Sequence, residues 1–238
     1  MELEEYKAIE DKRRQRNIKW MEEGVIFLDI NTAYIDEEVA IGPGTRIGPG
    51  VILEGKTVIG RDCVIGHNSR VKDSTIGAGT EIESSVILES TVGESTKVGP
   101  FAFLRPNSKI GNHCKVGDFV EIKNSSMGDG SKASHLTYIG DSDVGKDVNI
   151  GCGVVFVNYD GLNKHRSIVK DGAFIGCNTN LISPILVEEQ AYIAAGSTVT
   201  SDVPKGSLYV ARAKGRVLEG WVERRGLLKK KDGGVEKK

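Results

Sequence analysis

Residues 41–70 read IGPGTR IGPGVI LEGKTV IGRDCV IGHNSR: five sixes, each opened by an aliphatic residue, usually followed by glycine, with a small or β-branched residue fifth. A period of six fits neither an amphipathic helix at 3.6 nor a half-buried strand at two, and hexapeptide periodicity belongs to parallel β-helices. If three sixes close one triangular coil, every opener points into the prism and stacks on its counterpart one coil on. The fifth residue also points inward with less room, which suits Thr45, Val51, Thr57, Cys63 and Ser69. Glycine second suits a corner that needs permissive φ.

Outward from this stretch the frame slips and recovers. The openers read Ile41, Ile47, Leu53, Ile59, Ile65, Val71, then Ile76, Ile82, Leu88, then Val92, Val98, Leu104, Ile110, Val116, Ile122. Single slips lead on to Met127, Ala133, Ile139 and to Val144, Ile150, Phe156. The next opener is Val169, so the interval after Phe156 holds seven residues more than a six requires. The frame then runs through Ile175, Leu181, Val187, Ile193 and Val199. The excess predicts an external loop over 157–168, and loops on rigid solenoids commonly carry function.

The expected organisation is a linker helix over 1–24, a β-helix over 25–204 and an arm with a basic tail over 205–238. Residues 1–23 lack Gly and Pro and are dense in helix formers, with Gly24 as the stop. Val25 to Asp36 reads as a lead-in strand capping the first coil, since solenoids need covered ends. After Pro204 the repeat breaks, giving a short arm, a turn of helix, and a disordered tail from about Lys229. Thirty glycines among 238 residues with only 6% aromatics suit a coil-and-corner solenoid better than a thick layered core. A net charge of −1 gives no reason to expect nucleic acid or an anionic membrane as partner. There is no apolar run of membrane-spanning length and no signal-peptide core at the N-terminus, which leads to an expectation of a soluble, cytoplasmic protein.

The chemistry gathers between Leu104 and Lys170. Arg105 and Lys123 take second positions three repeats apart with no slip between, so they stack on successive coils about 4.8 Å apart. Two cations that close suggest a bound anion, most simply phosphate; alternatively Glu121 or Asp118 neutralises them. His135 stands third in its six and points outward, as a general base could or as any surface histidine does. Arg105, Lys123, Tyr138 and Asn149 all fall within about two and a half coils of it by the same spacing. Tyr138 and Asn149 could hydrogen-bond sugar hydroxyls or serve simply as corner residues.

Together LRP at 104–106, GDFVEIKNS at 117–125, GSKASHLTYIGD at 130–141, VNIG at 148–151, NYDG at 158–161, NK at 163–164 and AAGSTV at 194–199 carry a resemblance. They resemble the acetyltransferase half of the bifunctional N-acetylglucosamine-1-phosphate uridyltransferase / glucosamine-1-phosphate acetyltransferase, from about Lys12 to Trp221. The resemblance implies a left-handed parallel β-helix, a homotrimer and active sites at subunit interfaces. It implies transfer of acetyl from acetyl-CoA to the amine of glucosamine 1-phosphate with His135 as base, feeding UDP-N-acetylglucosamine and so peptidoglycan and lipopolysaccharide synthesis. By the same resemblance Arg105, Lys123 and Lys164 bind the sugar phosphate, and Tyr138 and Asn149 match sugar-binding positions. Asn158, Tyr159, Ala195 and Arg212 match positions that hold acetyl-CoA. No metal is required, because acyl transfer from a thioester asks for an oriented amine, a base and oxyanion donors.

The chain departs from that pattern in two ways. Cys152 and Cys177 stand where the family has a small residue beside the CoA arm. Their matching third positions predict neighbouring side chains about 5 Å apart at Cα that line the acetyl-CoA groove and stay reduced in a cytoplasm. No base adjoins them by sequence, so a nucleophilic role is not expected. Nothing resembles the family's nucleotide-binding uridyltransferase half, so no uridyltransferase activity is expected of this chain, whether excised or free-standing. Among other readings, a γ-class carbonic anhydrase needs three zinc histidines, and His67, His113, His135 and His165 lack that spacing. An ice-binding or scaffold solenoid would show monotonous Thr or Ser ladders and no long loop. A hexapeptide acetyltransferase for another amino sugar or nucleotide sugar is the nearest alternative.

Overall fold

A computed structural model describes residues 1–227 of the chain. It is a left-handed parallel β-helix of about ten turns with one long N-terminal helix, α1 (Leu3–Glu22). Every strand between the sheet ends pairs in parallel with the strand one coil before and the strand one coil after, giving three flat sheets of eleven, ten and nine strands. Sheet I runs from Ile26–Phe27 to Leu208–Tyr209, sheet II from Tyr34–Ile35 to Thr198–Val199, and sheet III from Ala40–Ile41 to Leu186–Val187.

The openers are the core. Ile47, Leu53, Ile65, Val71, Leu104, Val116, Ile122, Ile139, Phe156, Ile175 and Leu181 are fully buried in one continuous apolar column system. Each such side chain contributes on the order of 1.5–3 kcal/mol on burial. The fifth position does more than save space. Thr45 Oγ1 donates to Gly60 O at 2.8 Å and accepts from the amide of Cys63 at 3.1 Å. Thr96 Oγ1 does the same with Gly111 O and the amide of Cys114, and Ser131 Oγ with Gly145 O and the amide of Val148. A hydroxyl here closes corner groups that would otherwise be buried without partners. Cys63 and Cys114 occupy the same inward ladder and are buried, as their position predicts; burial pushes both thiols up.

The structure corrects four details of the sequence reading. Ile87, not Leu88, opens its side: Ile87 is fully buried and pairs with Leu104, whereas Leu88 is half-buried. Two consecutive five-residue sides explain the difference, since shortening moves the inward residue one place forward. Val25 to Asp36 is not a lead-in strand but two sides of the first coil, Ile26–Phe27 and Tyr34–Ile35, paired with the second. The repeat continues past Pro204, because Leu208–Tyr209 extends sheet I beside Tyr192–Ile193. The external loop is 158–166: Val157 pairs with Ile182, and Ser167 with Ser142, so nine residues replace the one corner residue Asp141 of the coil before. A short helix α2 (Trp221–Arg224) follows the last strand. The tail expected from about Lys229 lies outside the described residues. No helix among the described residues is long and apolar enough to cross a membrane.

Helix α1 covers the first coil, with Trp20 packed on the core. Its polar face meets carbonyls that have no coil beneath them. Arg13 donates to Ala33 O at 2.9 Å, Arg16 to Ile35 O at 2.6 Å, and the buried Asn17 Nδ2 to both Ile30 O and Ala33 O at 3.0 Å. Asn17→Ala is expected to destabilise this end by about 1–3 kcal/mol by leaving the Ile30 carbonyl without its donor and Ala33 O with Arg13 alone, read as a lower urea midpoint.

Candidate active site

Two rows of polar side chains lie on adjoining parts of one face. The first occupies sheet II and its corner with sheet III. Arg105 and Lys123 follow paired openers on successive coils, as expected, but each has its own carboxylate. Arg105 Nη1 is 2.8 Å from Glu121 Oε1, and Lys123 Nζ is 3.6 Å from Asp141 Oδ2. Glu121 is therefore a neutraliser, as one reading held; Asp118 is not, and Asp141 takes that part for Lys123. Asp141 is buried and accepts hydrogen bonds from Asn124 Nδ2 at 2.6 Å and Asn158 Nδ2 at 2.5 Å. Burial alone would raise its pKa, but the Asn124 and Asn158 hydrogen bonds with the Lys123 and Lys164 charges outweigh it and hold the carboxyl below its ordinary value.

Tyr138 shares this row. A Cβ on the buried Gly140 would collide with Tyr138 Oη and Asn158 Nδ2, so only glycine leaves room for both groups over this floor. Lys164, on the loop, comes up against Lys123. That contact and the Lys123 charge push Lys164 below the usual lysine range, with partial desolvation in the same direction and the Asp141 and Tyr138 charges opposing. Two lysines near one another, one of them 3.6 Å from a buried carboxylate held by two amides, make a cationic place suited to an anion.

The loop is held from both ends. Arg166 grips Asp143 Oδ2 at 2.6 Å and Oδ1 at 2.5 Å and also donates to Asn124 O. Asp160 accepts from the amides of Asn163 and Leu162 and lies 2.7 Å from His165 Nε2, contacts that lower its pKa strongly. Tyr159 is exposed on this loop, bridged to Lys164, with its hydroxyl donating to Gly161 O.

The second row runs along the corner between sheets I and II. His135 ends the strand Lys132–His135 and pairs with Asp118 one coil before. Its Nδ1 is 2.5 Å from Asp118 Oδ1, which assigns the proton to Nδ1 and leaves Nε2 as the basic nitrogen. The His135 hydrogen bond is the largest influence lowering the Asp118 pKa. Ala133 pairs with Ile150 and Ile150 with Ile175, so Cys152 follows His135 in register and Cys177 follows Cys152. The two thiols are free and neighbouring, half-buried and exposed respectively. Ala195 comes next, and Arg212 from the C-terminal arm donates to Ala195 O at 2.9 Å. Cys152, Cys177, Ala195 and Arg212 thus form one continuous strip.

Coil spacing separated these groups less than the structure does. His135 stands at the opposite edge of the sheet II face from Lys123 and Lys164, and Asn149 lies on sheet I between Lys132 and Phe174. Asp141 was not singled out by sequence, and Asp118 was named only as a neutraliser of the two cations, not as the partner of His135. Asp118 could have been, since it is third in its block as His135 is. Asp141 could not, because it belongs to a five-residue side. No base adjoins the cysteines along the sequence, as read above, but the register sets His135 one coil before Cys152. Among the described residues no three His, Cys, Asp or Glu side chains converge on a metal position.

Residues 32–105 match the model described as GMPPB C-terminal domain, and residues 89–124 the model described as Bacterial transferase hexapeptide (six repeats). The protein named Bifunctional protein GlmU in Clostridioides difficile (strain 630) is 59% identical over 219 residues, covering 92% of this chain and 48% of the relative. Its namesake in Alkaliphilus metalliredigens (strain QYMF) is 52% identical over 228 residues, covering 95% of this chain and 50% of that one. Over residues 89–124 the chain carries the bacterial transferase hexapeptide repeat, and over nearly all of its length it is similar to these relatives. The chain spans about half the length of the curated relatives it matches, corresponding to their C-terminal half. The crystal structure of an Arabidopsis UDP-N-acetylglucosamine acyltransferase shares the fold, with a TM-score of 0.55 at 20% identity over 83% of this chain and 77% of that one.

Asp141 is expected to control the loop. Its lowered pKa stabilises the folded state above the unfolded carboxylate value of about 3.9, and that contribution is lost as pH falls through the lower folded value. Amide exchange across 158–166 should therefore accelerate under acid, whereas Asp141→Asn should show the loosened loop already at neutral pH.

Proposed function

We propose that this chain is a glucosamine-1-phosphate N-acetyltransferase that uses acetyl-CoA and works as a homotrimer in the cytoplasm. The observation that carries the reading is the Asp118–His135 pair: a histidine oriented through Nδ1 with Nε2 free, on the face that also carries the Lys123–Lys164 pocket. The near-complete coverage of this chain by GlmU relatives supports it.

In the proposed reaction the neutral amine of the acceptor attacks the acetyl carbonyl, and Nε2 of His135 takes the amine proton. Asp118 holds the ring and stabilises the imidazolium that results. Lys123 and Lys164, with Arg105 beside them, bind the sugar phosphate. Tyr138 and Asn149 bind the sugar. Asn158, Tyr159, Cys152, Cys177, Ala195 and Arg212 hold acetyl-CoA along the corner strip and the loop. No step calls on a metal ion. As a corner row, Phe101, Phe119 and Leu136 supply the argument for a trimer. They occupy successive coils at positive φ, are 58%, 58% and 56% exposed, and the two rings stack at 5.4 Å. Left-handed backbone disfavours such side chains. Placing large apolar groups there, beside Asp118 and His135, fits a surface that a second copy covers, and that copy would close the gap between the His135 edge and the lysine edge.

Release of CoA should be seen with acetyl-CoA plus glucosamine 1-phosphate and not with glucosamine 6-phosphate. His135→Ala should lower kcat by about 10²–10⁴-fold, and Asp118→Asn by less. Turnover with another amino sugar alone would replace the acceptor. Phe119→Asp should shift the species seen by light scattering toward monomer and lower activity with it; an active monomer would remove the interface from the proposal.

A further inference from the structure

We propose that Cys152 is itself an acetyl acceptor, so that this chain acetylates its own thiol from acetyl-CoA when no amino sugar is bound. The proposal rests on the acetyl-CoA reading above. Cys152 stands one coil beyond His135 in the column that contains Asp118, His135, Cys152 and Cys177. The amide of Gly153 bonds Leu136 O at 3.1 Å, which fixes that register immediately beside both residues. An oriented base next to a thiol, with an acid behind the base, is the arrangement that activates a cysteine nucleophile.

Distances decide which thiol it is. The coil repeat of about 4.8 Å puts the Cys152 Cα one step from His135, whereas Cys177 is two steps away, about 9.6 Å. Cys63 and Cys114 are buried in the core. Asp118 holds Nδ1, and Nε2 has no protein hydrogen-bond partner among the described residues. A free thiol with pKa about 8.5 is only slightly ionised near neutrality, so the base matters.

The step balances without any further reagent. The Cys152 thiol gives its proton to His135 Nε2, and Sγ attacks the acetyl carbonyl carbon of acetyl-CoA. A new carbon–sulfur bond forms at Cys152, the bond from the acetyl carbon to the CoA sulfur breaks, and the imidazolium returns the proton to the departing CoA thiolate. One thioester replaces another.

The test is intact-mass spectrometry of the full chain after incubation with acetyl-CoA alone, with peptide mapping, beside a CoA-release assay on glucosamine 1-phosphate with the same preparation. The expected result is one hydroxylamine-labile acetyl group per chain, on Cys152, absent from Cys152→Ser and formed at least about 10²-fold more slowly in His135→Ala. A wild-type chain that turns over glucosamine 1-phosphate but never carries acetyl on Cys152 overturns this proposal and leaves the functional reading standing. Acetyl on Cys152 without turnover of the amino sugar does the reverse. Label on Cys177, or an equal labelling rate in His135→Ala, overturns the assignment of nucleophile and base.

Discussion

The in-register parallel stacking of coils is the constraint on which the rest depends. Each coil satisfies its backbone donors and acceptors with the coils above and below, at a repeat of about 4.8 Å. Side chains at one position of the six therefore form columns along the axis. The aliphatic openers make a core in which Leu53, Ile122 and Phe156 are equivalent despite their distance in sequence. The hydroxyls of Thr45, Thr96 and Ser131 tie the corners within that core. Stacking also creates an end that must be covered. Helix α1 meets this need with polar side chains, because the exposed groups of a first coil are carbonyls as much as apolar side chains.

Functional groups obey the same rule. A column places Asp118 beneath His135 and Cys152 above it, with no local sequence relation among the three. Stacked cations would repel, and the fold sets an acid from a neighbouring coil against each: Glu121 for Arg105 and Asp141 for Lys123. The loop at 158–166 adds a second lysine to one of these places. It does so at a single corner, so the prism continues undisturbed through Ser167 and Val169. Asp141 joins the two parts, since the buried carboxylate that faces Lys123 also holds Asn158 at the base of the loop.

Much of this was legible in the sequence because the period of the repeat is a direct image of the prism. The six-residue frame determined the fold class, the inward position of Cys63 and Cys114, the stacking of Arg105 on Lys123 and of Cys152 on Cys177, and the existence of an external loop. Frame counting failed where sides shorten to five residues, as at Ile87, because a slip shows that a residue is missing without showing from which corner. Ends were misread for a related reason: Ile26–Phe27 and Leu208–Tyr209 lack the glycine and small-residue marks of the repeat, and their pairing partners alone make them coil members. Only the tertiary structure decided which carboxylate meets which cation, that His135 and Lys123 lie on opposite edges of one sheet, and that a base adjoins Cys152. Those facts depend on position around the coil and on side-chain reach between coils, and a linear period records height along the axis but neither of these.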